Sequence, residues 1–189
     1  MSLGGGASDA VDSAIRAVSV GWMVHNNSST DGRFHLQLHA VGVTTVVAAG
    51  NDGQDAKNSS PARVKEAITV GASTFDDTMA EFSNFGSPVD VFAPGVNITS
   101  TWNDGETNTI SGTSMATPHV AGYAAYLLGL DSSLSPDDVA SSIDRGTLSG
   151  ALSQIRESFL LVYTLYPRTL NPVLLVASGT VNKLLNNGL

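Results

Sequence analysis

The run from Ile110 to Gly122, ISGTSMATPHVAG, constrains this chain more than any other. Ser114 follows a tight Gly112-Thr113 pair, and small residues and a long apolar stretch come after it. That order predicts a sharp turn feeding a helix, with Ser114 in the first helical turn. Backbone N–H groups there have no acceptor within the helix, and the positive end of the helix dipole points outward. An oxyanion beside Ser114 Oγ is therefore favoured. A serine hydroxyl also needs a base to take its proton before it becomes a useful nucleophile. The alternative serine turn, Gly-x-Ser-x-Gly, is not matched, because Ala116 holds its last position.

Other segments read as parts of an α/β domain. Val43 to Asp52, VTTVVAAGND, is β-branched and apolar and ends at Gly50-Asn51, as a buried parallel strand does. Ile68 to Ser73 is a second buried strand, and Phe92-Ala93-Pro94-Gly95 is a strand end closed by a Pro-Gly turn. Ser135-Pro136-Asp137-Asp138 places Ser at an N-cap and Pro at N1 of a helix running to about Asp144. At 189 residues the chain is one domain at most, and 42% hydrophobic content is enough for a core. A net charge of −8 argues against nucleic acid or an anionic membrane as partner. The absence of cysteine removes disulfide and zinc-thiolate readings.

Taken together, GTSMATPHVAG, VVAAGN and the starting SLGGG resemble the subtilisin-like serine proteases, and the proteinase K branch most closely. Further matching stretches are Asn58 to Ala62, Ile68 to Ser73, Phe82 to Gly86, Val89 to Gly95 and Gly179 to Asn182, so the resemblance covers most of the chain. It implies an α/β fold with a subtilisin-like parallel sheet and flanking helices, truncated at its N-terminal side. It implies a secreted serine endopeptidase of broad specificity that acts on polypeptides and is monomeric when complete. Ser114 is the nucleophile in this reading, and Asn51 donates its side-chain amide to the oxyanion hole. Ala48, Ala49 and Gly50 form a wall of the S1 pocket, with Thr113 beside it. Ser2, Leu3 and Gly4, in the glycine-rich start, pair with the substrate backbone. The resemblance also implies a structural calcium site with the Asp90 carboxylate and the Lys65 and Ala67 carbonyls as ligands; catalysis needs no cofactor. Read from the residues alone, Asn51 is equally a strand-ending turn, the glycine-rich start a linker, and Asp90 a solvated strand start.

The family's catalytic Asp and His have no counterpart in this sequence. The family order is Asp, His, Ser, with the His in a Gly-His-Gly-Thr-His segment. The four histidines are His25, His35, His39 and His119, and none lies in such a context. His119 follows Ser114 by five residues, about 140° round a helix, so it packs or caps rather than serving as base. The expectation is a partial peptidase domain, inactive alone. The alternative is a non-catalytic fragment or misassigned gene product. Nothing at the start resembles a signal peptide.

Two stretches interrupt the family pattern. Without Val18 to Gln37, Val11 to Ala17 would join Leu38 to Val43 as one amphipathic helix ending at Gly42. Between Ile155 and Ser178 the family has a single proline. Both stretches, 18–37 and 157–176, read as unspliced introns, with genuine surface insertions as the alternative: Val18-Ser19 can be encoded GTG-AGT and Gln37 CAG. In the second, a split codon would restore proline. Such stretches should lie outside the core. The apolar run in the second is broken by Pro167, Arg168 and Pro172, which argues against a membrane helix. Asn58-Ser59-Ser60 and Asn97-Ile98-Thr99 carry the N-glycosylation pattern.

Overall fold

The computed structural model describes residues 5–18, 43–155, 159–162, 173–176 and 180–185. Chain order begins with β1 (Gly5–Gly6), α1 (Asp9–Val18), β2 (Val46–Ala48), a 3-10 turn (Ala56–Asn58), β3 (Ser59–Ser60), β4 (Ile68–Ser73) and β5 (Val91–Pro94). It continues with β6 (Ile98–Thr101), β7 (Thr107–Ile110), α2 (Thr113–Leu130), α3 (Pro136–Gly146) and β8 (Leu148–Ser149). Last come β9 (Phe159–Val162), β10 (Val173–Val176) and β11 (Lys183–Leu184).

The main sheet has the order β2-β4-β5-β11-β8. Its first four strands are parallel, with Val46 opposite Ile68, Val70 opposite Val91 and Leu184 opposite Phe92. β8 then closes the far edge antiparallel to β11, so the expected parallel sheet is mixed at that edge. β4 is buried along its whole length, which is why its sequence is continuously apolar or small rather than alternating. One side of the sheet packs Val46, Val70, Ala72, Val91 and Ala93 against Ala116, Val120 and Ala124 of α2, with Val139 and Ile143 of α3 behind them. The other side packs Phe92 with Ala49, Met79, Val89 and Leu152.

α2 begins at Thr113, so Ser114 is its second residue. α3 begins as its sequence indicates: the Ser135 hydroxyl accepts from Asp138 N–H, and the Asp138 side chain accepts from Ser135 N–H, forming a capping box. α1 carries the Val11 to Ala17 segment and reaches Val18. The remainder of the 18–37 stretch lies outside the described residues. In the 157–176 stretch, β9 and β10 pair with each other, Val173 opposite Val162, and form a two-stranded sheet of their own apart from the main sheet.

Candidate active site

Two chain ends converge on Ser114. The first is the C-terminal end of β2, where Ala48, Ala49, Gly50 and Asn51 leave the sheet. The second is the turn into α2, where Gly112 N–H donates to Gly95 O at 2.8 Å. Thr113 joins the two. Its backbone N–H and its hydroxyl both donate to Asn51 Oδ1, each at 2.8 Å. The same hydroxyl oxygen accepts from Gly50 N–H at 3.2 Å. With Oδ1 so occupied, Nδ2 is the end of the Asn51 amide left to donate.

The position of that nitrogen can be located. A Cβ built on Gly112 would lie 3.6 Å from Asn51 Nδ2 and 3.7 Å from Ser114 N. Asn51 Nδ2 and Ser114 N therefore lie near one common point, at the N-terminal end of the 18-residue α2. A negative charge placed there would lie at the positive end of the α2 dipole.

A cavity of about 250 Å³ opens beside these groups. Ala48, Ala49 and Gly50 form one wall, Ser59 and Ser60 another, and Asn51, Thr113 and Ser114 line it as well. Gly5 stands at its rim. Ser2, Leu3 and Gly4 lie outside the described residues. Their neighbours Gly5 and Gly6 form β1, exposed and paired antiparallel with Ser60 and Ser59. Among the described residues β1 pairs on one edge only, which leaves its other edge for an incoming extended backbone.

The wall depends on Asn84, a residue whose role its sequence context, Phe82 to Gly86, did not disclose. Asn84 is fully buried. Its Nδ2 donates to Ala49 O at 2.9 Å and to Ser59 Oγ at 3.1 Å, tying the two walls together. Its Oδ1 accepts from Asp52 N–H and Gln54 N–H, each at 3.1 Å. A buried amide making four bonds is a signal only three dimensions reveal.

His119 is the one histidine among the described residues. Its Nδ1–H donates to Met115 O at 2.9 Å, one helical turn back, on the exposed side of α2. It caps locally, as its spacing from Ser114 predicts. No histidine base for Ser114 stands among the described residues. The structure brings Ser114, Thr113, Asn51 and Ala48 to Gly50 together around one cavity.

Asp90 lies elsewhere, in a second cavity of about 570 Å³ that Lys65 and Ala67 also line. The residue as a whole is exposed, but its carboxyl end turns inward and Oδ2 accepts from Thr69 N–H at 2.7 Å. Partial burial pushes that carboxyl up to about 6, against the opposing pull of the Thr69 N–H and Lys183. Asp90 offers one hard oxygen ligand of the kind calcium takes, but Lys65, Arg145 and Lys183 line the same cavity. No group of three or more His, Cys, Asp or Glu suited to a metal occurs among the described residues, so backbone carbonyls would have to complete the shell.

With the site's geometry in place, comparison with known proteins gives a consistent result. The subtilase family model matches residues 1–156. Subtilisin-like protease 2 of Pseudogymnoascus destructans is 49% identical over 164 residues, which is 86% of this chain and 36% of that protein. An extracellular serine proteinase of a Thermus species is 50% identical over 145 residues, 76% of this chain and 30% of that protein. A crystal structure of a cold-adapted subtilisin-like serine proteinase superposes with a TM-score of 0.72 at 38% identity, covering 97% of this chain and 52% of that one. The chain thus spans about a third of the curated relatives and about half of the solved structure. Ser114 at the head of α2 and the parallel sheet behind it have the same meaning in sequence and in space: the chain belongs to the subtilase family.

Proposed function

We propose that this chain carries the nucleophile, oxyanion hole and S1 wall of a secreted serine endopeptidase of broad specificity, and that it does not hydrolyse peptides alone. One observation carries the reading: Thr113 holds Asn51 Oδ1 with two bonds while Asn51 Nδ2 and Ser114 N flank a common point. That arrangement serves acyl transfer. Ser114 Oγ attacks the scissile carbonyl, its proton passes to a base, and the carbonyl oxygen takes the charge between the two donors. Collapse of the tetrahedral intermediate releases the amine and leaves an acyl-serine, which water hydrolyses. Small residues at Ala48, Ala49 and Gly50 leave room for a substrate side chain, and the open edge of β1 offers backbone pairing to a polypeptide.

The base is the missing component. The Asp and His would come from the part of the family domain that this chain does not span. Export is the reading supported by resemblance to relatives such as the Thermus enzyme, which is named extracellular. No helix among the described residues is long and apolar enough to cross a membrane. Asp90, with the carbonyls of Lys65 and Ala67, would hold a structural calcium ion, which supplies cross-linking of loops and no chemistry at Ser114. The completed protein acts as a monomer, and a chain of net charge −8 has no evident attraction to nucleic acid.

A fluorophosphonate probe, which labels activated serines, tests the proposal. Purified 1–189 should remain unlabelled. The same chain joined to an upstream subtilase half bearing Asp and His, with 18–37 and 157–176 removed, should label and should cleave a chromogenic peptide. Ser114→Ala should abolish both. In subtilisin, loss of the histidine alone costs about 10⁶ in turnover. Labelling of 1–189 that depends on Ser114 would overturn the claim of inactivity. Failure of the completed protein to label would favour the rival reading, a non-catalytic chain.

A further inference from the structure

We propose that Asn97 is an N-glycosylation site, and that of the two sequons in the described residues it is the one that carries glycan. The inference rests on the exported reading above, since the modification requires entry into a eukaryotic secretory route. Its chemistry is a group transfer from a lipid-diphosphate-linked oligosaccharide. The Asn97 Nδ2 forms a bond to the anomeric carbon of the sugar. The bond from that carbon to the diphosphate oxygen breaks, the lipid diphosphate leaves with the bonding pair, and the amide nitrogen gives up one proton to a base on the transferase.

The two sequons sit in different structural settings. Asn97 is exposed, in the bend between β5 and β6. Its backbone is left-handed, φ 54°, a conformation asparagine tolerates better than most residues. Its N–H is held by Ser111 Oγ at 2.9 Å, while its side-chain amide has no hydrogen-bond partner among the described residues. Thr99, whose hydroxyl completes the sequon, is exposed as well, and among the described residues that hydroxyl meets only Thr109 Oγ1, across the β6–β7 hairpin, at 2.7 Å. A large hydrophilic group on this amide projects into solvent and displaces no bond of the fold.

The Asn58 sequon is built into the protein. Its hydroxyl residue, Ser60, is 2% exposed. Ser60 Oγ accepts from Ser8 N–H at 2.8 Å and donates to Ser8 O at 3.3 Å. Ser59, its middle residue, is buried, bonded to Asn84 and part of the active-site wall. Asn58 itself is exposed, but it directly precedes Ser59 and Ser60, which line the cavity where substrate is expected. A chain that folds as described carries its glycan at Asn97 and leaves Asn58 bare.

Because glycosylation precedes or accompanies folding, the test must be resolved by site. The full 189-residue chain is secreted from yeast behind a cleavable signal. The soluble secreted protein is treated with peptide-N-glycosidase in ¹⁸O water, which converts each glycan-bearing Asn to ¹⁸O-labelled Asp, and its tryptic peptides are mapped by mass. Peptide mapping also separates these positions from the triplets that begin at Asn26 and Asn27, outside the described residues. A parallel arm reads the same peptides from the retained microsomal pool, so poor secretion does not stall the experiment. In both pools the Asn97 peptide should be labelled, and Asn97→Gln and Thr99→Ala should each remove one glycan step from the gel mobility. In the soluble pool the Asn58 peptide should be unlabelled, and Asn58→Gln should leave mobility unchanged. An unlabelled Asn97 peptide from chains whose signal has been cleaved overturns the proposal, as does soluble protein labelled at Asn58 instead. Failure of the exported reading is separate: it would show as the native gene's product staying inside its own cells, whatever the yeast chain carries.

Discussion

Asn84 grips Gly50 from two sides: its N–H donates to the Gly50 carbonyl at 2.9 Å, and its Nδ2 would lie 2.3 Å from any Cβ placed on Gly50. Gly50 also has φ 105°, a backbone region that L side chains rarely enter. The wall beside Ser114 is therefore a glycine and a buried asparagine fitted to each other.

The first prediction follows from that fit. Gly50→Ala must meet both the strained backbone and the overlap with Asn84, and should destabilise the fold by about 2 kcal/mol or more. Asn84→Ala leaves buried N–H and C=O groups without their partner and should cost a similar amount. Because the two share one contact, the double variant should lose less than the sum. Urea unfolding of the four proteins measures this. Strict additivity would show that the two sites are independent.

Asn51 and Thr113 should separate in a protein completed with its base. On the proposed reading, Asn51→Ala removes one of two oxyanion donors and should lower kcat by about 10²–10³, the loss measured for such a donor in subtilisin, with little change in KM. Thr113→Val keeps the donor but releases one of the two bonds on Oδ1 and leaves Gly50 N–H unsatisfied. Its kcat should fall by a smaller factor, on the order of 10. An Asn51→Ala protein with unchanged kcat would remove the oxyanion-hole assignment.

Legibility in the sequence followed locality. Ser114 at a helix N-terminus, the Ser135 cap and the strand Ile68 to Ser73 could all be read from short stretches, because turn chemistry, capping and burial act over a few residues. Asn51 was legible as a position, but the two bonds from Thr113 that aim its amide span 62 residues of sequence. Asn84 was hidden for the same reason: its partners Ala49 and Ser59 are 35 and 25 residues away. The antiparallel edge strand β8 is two exposed residues, too short to show a period of two. Likewise β1 found its partner in Ser59 and Ser60, a pairing that neither glycine nor serine composition specifies.

Transcripts test the two stretches that break the family pattern. If 18–37 and 157–176 are retained introns, spliced message should join the Ala17 codon to the Leu38 codon, and a proline codon should join Ile155 to Ser178. Among the described residues the β9–β10 pair bonds only to itself, apart from the main sheet. Removing both stretches should raise soluble yield, since it takes away an apolar run without opening the core. Abundant mature reads that retain both would establish them as real insertions.

Asp90 should reveal itself through pH. Partial burial holds its carboxyl at about 6 in the folded protein, against 3.8 as the ordinary value. The folded state therefore binds this proton more tightly than the unfolded chain does. The group's contribution to stability is fully present below about 3.8 and is lost as pH rises through about 6. Asp90→Asn keeps an acceptor for the Thr69 N–H but carries no charge, so it should flatten stability against pH across this window and raise the unfolding midpoint at pH 7. Calcium acts in the opposite sense, because a bound cation favours the carboxylate. Adding calcium at pH 7 should raise the midpoint of the unsubstituted protein and leave that of Asp90→Asn where it was. Thermal unfolding with calcium or a chelator, at pH 4, 5.5 and 7, gives the comparison. Equal calcium responses in the two proteins would place the ion elsewhere, and a pH profile unchanged by the substitution would show that Asp90 titrates as an ordinary surface carboxylate.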